Sequence, residues 1–255
     1  MVNLLKSITE DPRVKQLGPG LITGAADDDP SGIATYSQAG AQFGYSMLWT
    51  LLFTYPLMVG IQMVSARLGC ITGRGLAANV KTVFPRSVLY GIVGLLLIAN
   101  IINIAADIAA MGEALRLLLG GWAHLYSVAF GVLCLGLQVF LRYATYVRYL
   151  KWLTLALLSY VAVIFTIHVN WGAVLSEVVM PRLQLDHNTI TMIVAVFGTT
   201  ISPYLFFWQA AEEVEDEQED PKASPLIEAP QQAPRQLARM RLDTIVGMGF
   251  SNIIA

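Results

Sequence analysis

The chain has 255 residues, of which 55% are apolar and 13% charged, and its formal net charge is −2. Soluble domains average about 25% charged residues, and the mean hydropathy here is +0.58. This composition excludes an ordinary soluble domain and indicates an all-α integral membrane protein, with the lipid bilayer as a partner and no nucleic acid. Cys70 and Cys134 lie in or beside apolar runs and suggest neither a disulfide framework nor zinc spacing.

A membrane-spanning helix needs roughly 20 mostly apolar residues. Met1 to Gln16 is polar and lacks the apolar core of a secretory signal peptide. Residues 17–42 are the first spanning stretch, and they carry Asp27, Asp28, Asp29, Pro30 and Gly32 at their middle. An ionised carboxylate at bilayer depth costs several kcal/mol, so such acids face a cavity or an ion. Proline breaks the helix where the acids sit and frees carbonyls that need partners. A broken helix with carboxylates at the break is a candidate cation site.

Residues 45–66, 88–119 and 125–141 read as helices 2 to 4. Asp107 is a lone acid in the strongly apolar third helix. It is a proton-relay candidate, or a packing contact to Asn100, Asn103 or an arginine. Residues 151–170 form helix 5. Helix 6, 189–211, is interrupted at Pro203, after Gly198, Thr199, Thr200 and Ser202. Residues 212–240 are acidic and then rich in Pro, Ala and Gln, which predicts a disordered linker. A seventh helix begins near Asp243 and occupies 243–255. Lys6, Arg13 and Lys15 precede helix 1. Arg67, Arg74, Lys81 and Arg86 follow helix 2, Arg142, Arg148 and Lys151 follow helix 4, and Arg235, Arg239 and Arg241 precede helix 7. This alternation predicts a cytoplasmic N-terminus in the cell (inner) membrane. Interrupted helices at corresponding places in two halves point to an inverted-repeat transporter with a midplane site.

The strings Gly18-Pro19-Gly20, Asp29-Pro30, Gln38-Ala39-Gly40, Gly44-Tyr45, Leu48-Trp49, Ser65-Ala66-Arg67-Leu68-Gly69 and Thr72-Gly73-Arg74 resemble the natural resistance-associated macrophage protein (Nramp) transporters. The resemblance implies a leucine-transporter-like inverted-repeat fold. Here that would be its N-terminal part, about six complete helices plus the start of a seventh. It implies proton-coupled transport of a divalent metal, which is cargo rather than a resident cofactor, and no enzymatic activity.

By position, the resemblance assigns the metal to Asp29, to the Ala26 and Thr199 carbonyls and to Ser202, which stands where the family has methionine. Gly32 replaces the family's metal-binding asparagine. Asp107 falls on the proton route, but Ala110 stands where the family has glutamate. Asp27, Asp28, Tyr204 and Gln209 are further candidates. An all-oxygen set without the thioether favours Mg²⁺ or Mn²⁺ over soft metals. The alternative is a partial, non-transporting protein that senses metal or assembles with further transmembrane helices. An aspartyl enzyme built on Asp29 and Asp107 lacks any accompanying motif.

Overall fold

The computed structural model describes residues 18–141, 153–181 and 186–255. Among them every regular element is helical. Pro30 has no N–H to continue a helix from below, so the first spanning stretch splits into α1 (Pro19–Asp27) and α2 (Pro30–Phe43), with Asp28 and Asp29 between. A 3₁₀ turn, Gly44–Met47, leads into α3 (Trp49–Thr72), which stops at Gly73 in the left-handed region (φ 59°). Then follow α4 (Leu76–Val83), α5 (Arg86–Leu119) and α6 (Ala123–Phe140). A 3₁₀ turn, Thr154–Leu157, precedes α7 (Leu158–Ile164), and α8 (Trp171–Val179) comes next. The second interrupted stretch is α9 (His187–Thr200) and α10 (Pro203–Glu219), broken by Pro203 as the first was by Pro30. The last helix is α11 (Ala233–Ile254).

Four segments among the described residues are long and apolar enough to cross a membrane: Trp49–Thr72, Arg86–Leu119, Ala123–Phe140 and His187–Glu219, the last spanning the α9–α10 break. The protein is thus an integral membrane protein. Along α5, Leu95, Ile98, Ile101 and Ile102 are exposed, as side chains facing lipid or further helices would be. Gly112 of α5 sits against Ser127 and the Ala123 carbonyl of α6, holding the two as a hairpin.

Several expected boundaries move. Helix 2 runs past 66 to Thr72, where Gly73 in the left-handed conformation ends it. Within that last turn Gly69 lets α3 approach the Ala210 carbonyl of α10, since a Cβ there would lie 2.6 Å from that oxygen. Helix 5 ends at Ile164 rather than 170, and the expected loop beyond it contains α8, capped by Asn170 accepting from the Ala173 N–H at 3.2 Å. Leu17, the segment 142–152 and residues 182–185 lie outside the described residues, as do Lys6, Arg13, Lys15, Arg142, Arg148 and Lys151.

The largest correction concerns 212–240, which is not a disordered linker. α10 continues to Glu219 and α11 starts at Ala233, ten residues before the expected Asp243. Two acids of this stretch, Glu213 and Asp216, have partners well apart in sequence. Arg239 donates to Glu213 at 2.7 Å and to Asp216 at 2.9 Å, and the Cys70 thiol donates to Glu213 at 3.2 Å. Between the helices, the Leu226 and Ile227 N–H groups donate to the Cys70 and Ile71 carbonyls at 3.0 Å each. They satisfy two of the carbonyls that the end of α3 leaves unpaired. Leu226 itself is buried with Ala66, Cys70 and Met240. Leu226→Ala is therefore expected to lower stability by about 2 kcal/mol or more, measured as the melting midpoint in detergent. An unstructured linker would show no change.

Candidate metal centre

Asp29 caps α2. Its Oδ1 accepts from the Gly32 N–H and the Ser31 hydroxyl, both at 2.7 Å. Capping is the ordinary use of aspartate before a helix, where the dipole also favours negative charge. Its Oδ2 accepts from Asn103 Nδ2 of α5 at 2.8 Å and from the Tyr204 hydroxyl of α10 at 3.1 Å. One carboxylate thereby ties both broken helices and α5 together. Both of its oxygens have partners within the protein, although the single protons of Ser31 and Tyr204 each have a second acceptor in reach, Asn103 Oδ1 and the Ala26 carbonyl.

Tyr204 OH also lies 3.2 Å from the Ala26 carbonyl, so its single proton has two acceptors in reach. Asn103 Oδ1 accepts from Ser31 at 2.9 Å, and Asn103 Nδ2 lies 3.5 Å from Asp107 Oδ2. Asp107 is thus joined to Asp29 through one amide, and its other oxygen, Oδ1, is buried without a partner.

Gly32 sits where a side chain would enter the centre. A Cβ there would lie 3.0 Å from the Asp27 carbonyl and 3.5 Å from both Asp29 Oδ1 and Thr199 Oγ1. The missing side chain leaves that space between α1–α2 and α9. The Ser202 hydroxyl donates back to the Thr199 carbonyl at 2.6 Å, the local bond that serines commonly make within a helix turn, which uses its proton and not its lone pairs. Gln209 is not beside Asp29. It is fully buried one turn along, accepting from the Thr23 hydroxyl and donating to Glu213 at 3.3 Å.

Asp27 and Asp28 face elsewhere, towards α11. Ser251 donates to Asp27 Oδ2 at 2.9 Å and lies 3.5 Å from Asp28 Oδ1. The three consecutive acids therefore do not share one focus, and no group of three His, Cys, Asp or Glu side chains converges among the described residues.

Sequence reasoning offers Asn103 only as a packing partner of Asp107 and gives Asp243 no structural role beyond a helix start. Asn103 is legible as the residue four before Asp107 on the same helix face. Asp243 is fully buried and accepts from the N–H groups of Gly18, Gly20 and Leu21 at 2.9, 2.7 and 3.1 Å. It thus caps the first half-helix from 222 or more residues away.

A cavity of ≈ 730 Å³ between α10 and α11 is lined by Asp216, Asp220, Lys222, Arg235 and Arg239. Its mixed charges and its distance in sequence from both breaks make it a poorer cation seat than the breaks.

Two interrupted helices meeting through an aspartate and backbone carbonyls define a membrane protein of the inverted-repeat transporter class. Residues 20–255 match the family described as natural resistance-associated macrophage protein-like, Nramp. The chain belongs to that family. Among curated proteins it resembles the divalent metal cation transporter MntH of Verminephrobacter eiseniae, with 33% identity over 74% of this chain and 44% of the relative. The protein of the same name from Yersinia pestis is 30% identical over 78% of this chain and 49% of its own length. The chain thus spans about half the length of the curated relatives it matches. Among solved structures, the manganese transporter of Eremococcus coleocola, crystallised with an aromatic bis-isothiourea compound, superposes with a TM-score of 0.72. That match has 18% identity and covers 93% of this chain and 49% of the other. The fold is that of the Nramp transporters, with a leucine-transporter-like arrangement of helices.

Proposed function

We propose that the protein takes part in secondary active transport of a divalent metal cation, with proton linkage, through the centre between the two broken helices. The observation that carries this reading is Asp29, which joins α2, α5 and α10 at one carboxylate beside the space that Gly32 leaves open. An arriving cation competes with Tyr204 for Asp29 Oδ2. The Tyr204 proton retains the Ala26 carbonyl as its acceptor, so the exchange leaves no hydroxyl unpaired. The Thr199 hydroxyl and the Asp27 carbonyl border the same space, the Ala26 carbonyl is joined to Asp29 through Tyr204, and Ser202 acts through the Thr199 carbonyl. Asp107 receives or releases the linked proton, with Asn103 coupling its charge to Asp29.

The donors are all oxygen, which favours Mg²⁺ or Mn²⁺ over Cd²⁺. The N-terminus is proposed to face the cytoplasm, in the inner membrane. The test is saturable Mg²⁺ or Mn²⁺ uptake into liposomes carrying the purified protein, compared with Cd²⁺. Binding without flux would support the metal-sensing or assembly reading instead, and a strong preference for Cd²⁺ would overturn the hard-ion assignment.

Asn103 supplies a further check. Outer-shell partners that orient a metal-binding carboxylate are worth about 10–100-fold in metal affinity. Asn103→Ala is expected to weaken Mn²⁺ binding within that range by calorimetry, while leaving the fold intact because Asn103 is only half-buried.

A further inference from the structure

Asp29 has hydrogen-bond partners at both carboxylate oxygens, whereas each of its two neighbours leaves one oxygen without any. Asp27 is 2% exposed and Asp28 6% exposed, and each keeps one carboxylate oxygen, Asp27 Oδ1 and Asp28 Oδ2, without any hydrogen-bond partner. Unpaired buried charge is costly and is normally met by a cation or by several donors. Among the described residues the side-chain donor here is Ser251, 1% exposed, whose single proton is shared between Asp27 Oδ2 at 2.9 Å and Asp28 Oδ1 at 3.5 Å. The basic side chains that form ion pairs among the described residues, Arg116 and Arg239, are committed to Glu113, Glu213 and Asp216.

The position sharpens the imbalance. Both acids sit at the C-terminal end of α1, where the helix dipole is negative and cations are favoured. The last carbonyls of that helix are also unpaired within it. We propose that Asp27 and Asp28, closed by Ser251 of α11, form a second cation site, separate from Asp29, that takes a hard divalent ion.

Its separateness follows from the helix faces. Gly20, Gly24 and Asp27, spaced four and three residues apart, lie along one side of α1. They meet Asp243 and Thr244, Gly247 and Ser251 in turn along α11. Asp29 lies beyond the break and looks instead to α5 and α10. Two carboxylates and a hydroxyl offer oxygen only, the donor type of Mg²⁺, Ca²⁺ and Mn²⁺. With both acids deprotonated on binding, their charge of −2 would be balanced by a divalent ion and left half-balanced by a monovalent one. The two sites would stand on either side of one helix break, so an ion released from one has a carboxylate next to it.

The test counts bound Mn²⁺ by the loss of the free-ion electron paramagnetic resonance signal, using the purified protein in lipid nanodiscs. The wild type is expected to bind two equivalents. Asp27→Asn and Asp28→Asn should each abolish one equivalent or weaken it at least about tenfold, and Ser251→Ala should weaken the same one. Asp29→Asn should remove the other. Asparagine keeps the size of the side chain and the acceptor for Ser251, and circular dichroism checks that each variant is folded. A single equivalent that depends on Asp29 and ignores Asp27 and Asp28 would overturn this proposal and leave the proposed transport centre standing. One that ignores Asp29 but is lost in Asp27→Asn would do the reverse. Retention of both equivalents in folded Asp27→Asn and Asp28→Asn, or replacement of Mn²⁺ by millimolar Na⁺ at the Asp27 site, would also overturn the proposal.

Discussion

Asp29→Asn is expected to weaken binding of a divalent cation at the transport centre by more than about 100-fold, exceeding the usual cost of losing an outer-shell partner. The substitution removes the formal charge that opposes the ion and changes little else. Asparagine caps helices about as well as aspartate, so the Gly32 N–H and the Ser31 hydroxyl keep their acceptor. On the other side, Tyr204 is able to accept where it donated, and the Asn103 amide to flip. The melting midpoint should therefore shift by no more than about 1 kcal/mol equivalent. Calorimetric titration with Mg²⁺ and Mn²⁺ reads the first quantity, and thermal unfolding in the same detergent reads the second. A variant that binds at this centre within about tenfold of the wild type would remove Asp29 from the ion's path and with it the mechanism. A variant that loses both binding and fold would say that the carboxylate is chiefly the junction of three helices.

The two breaks were legible because their cause is local. Pro30 and Pro203 lack the N–H that a continuous helix needs, and small or polar residues precede each. The family strings in the first 75 residues led to the same fold. What lay hidden had its cause elsewhere in the chain. Glu212 to Asp220 looks like a solvated acidic tail until Arg239 and Cys70 are brought against Glu213. The Pro-rich stretch after it looks unstructured until Leu226 is seen sealing the end of α3.

The distribution of the three acids was equally out of reach. Consecutive residues on a helix point in different directions, which shows that they cannot all serve one ion. Which one faces which neighbour depends on how α11 lies along α1. That packing has a trace in the sequence, Gly20 and Gly24 at small-xxx-small spacing opposite Asp243, Gly247 and Ser251 at spacings of four, but the partner helix had to be known to read it. Ser202 shows another limit: its place in the family pattern puts it among the ligands, and the sequence does not show that its proton goes to the Thr199 carbonyl, a bond that leaves the lone pairs of its oxygen.

Gly247→Val is expected to destabilise the protein by more than about 3 kcal/mol, at or above the upper end of ordinary overpacking. In bilayers, helices associate by close backbone approach at small residues, and this pair has no slack. A Cβ on Gly247 would fall onto the Gly20 carbonyl and 2.8 Å from Leu21 Cα, and one on Gly24 would fall onto the Gly247 carbonyl. These are backbone atoms, so relief requires moving α11 away from α1. That displacement would draw Asp243 from the three amides it caps and Ser251 from Asp27, adding unpaired buried polar groups to the steric cost. Gly40→Ala is the matched control. It lies in the interior of α2, and a Cβ there meets nothing within 4 Å. It should stabilise by up to about 1 kcal/mol through helix propensity alone. Melting midpoints in detergent, with the yield of monodisperse protein, compare the two. Equal stability of Gly247→Val and Gly40→Ala would mean that α11 does not rest on α1 at these glycines, and the Asp27–Ser251 seat would fall with it.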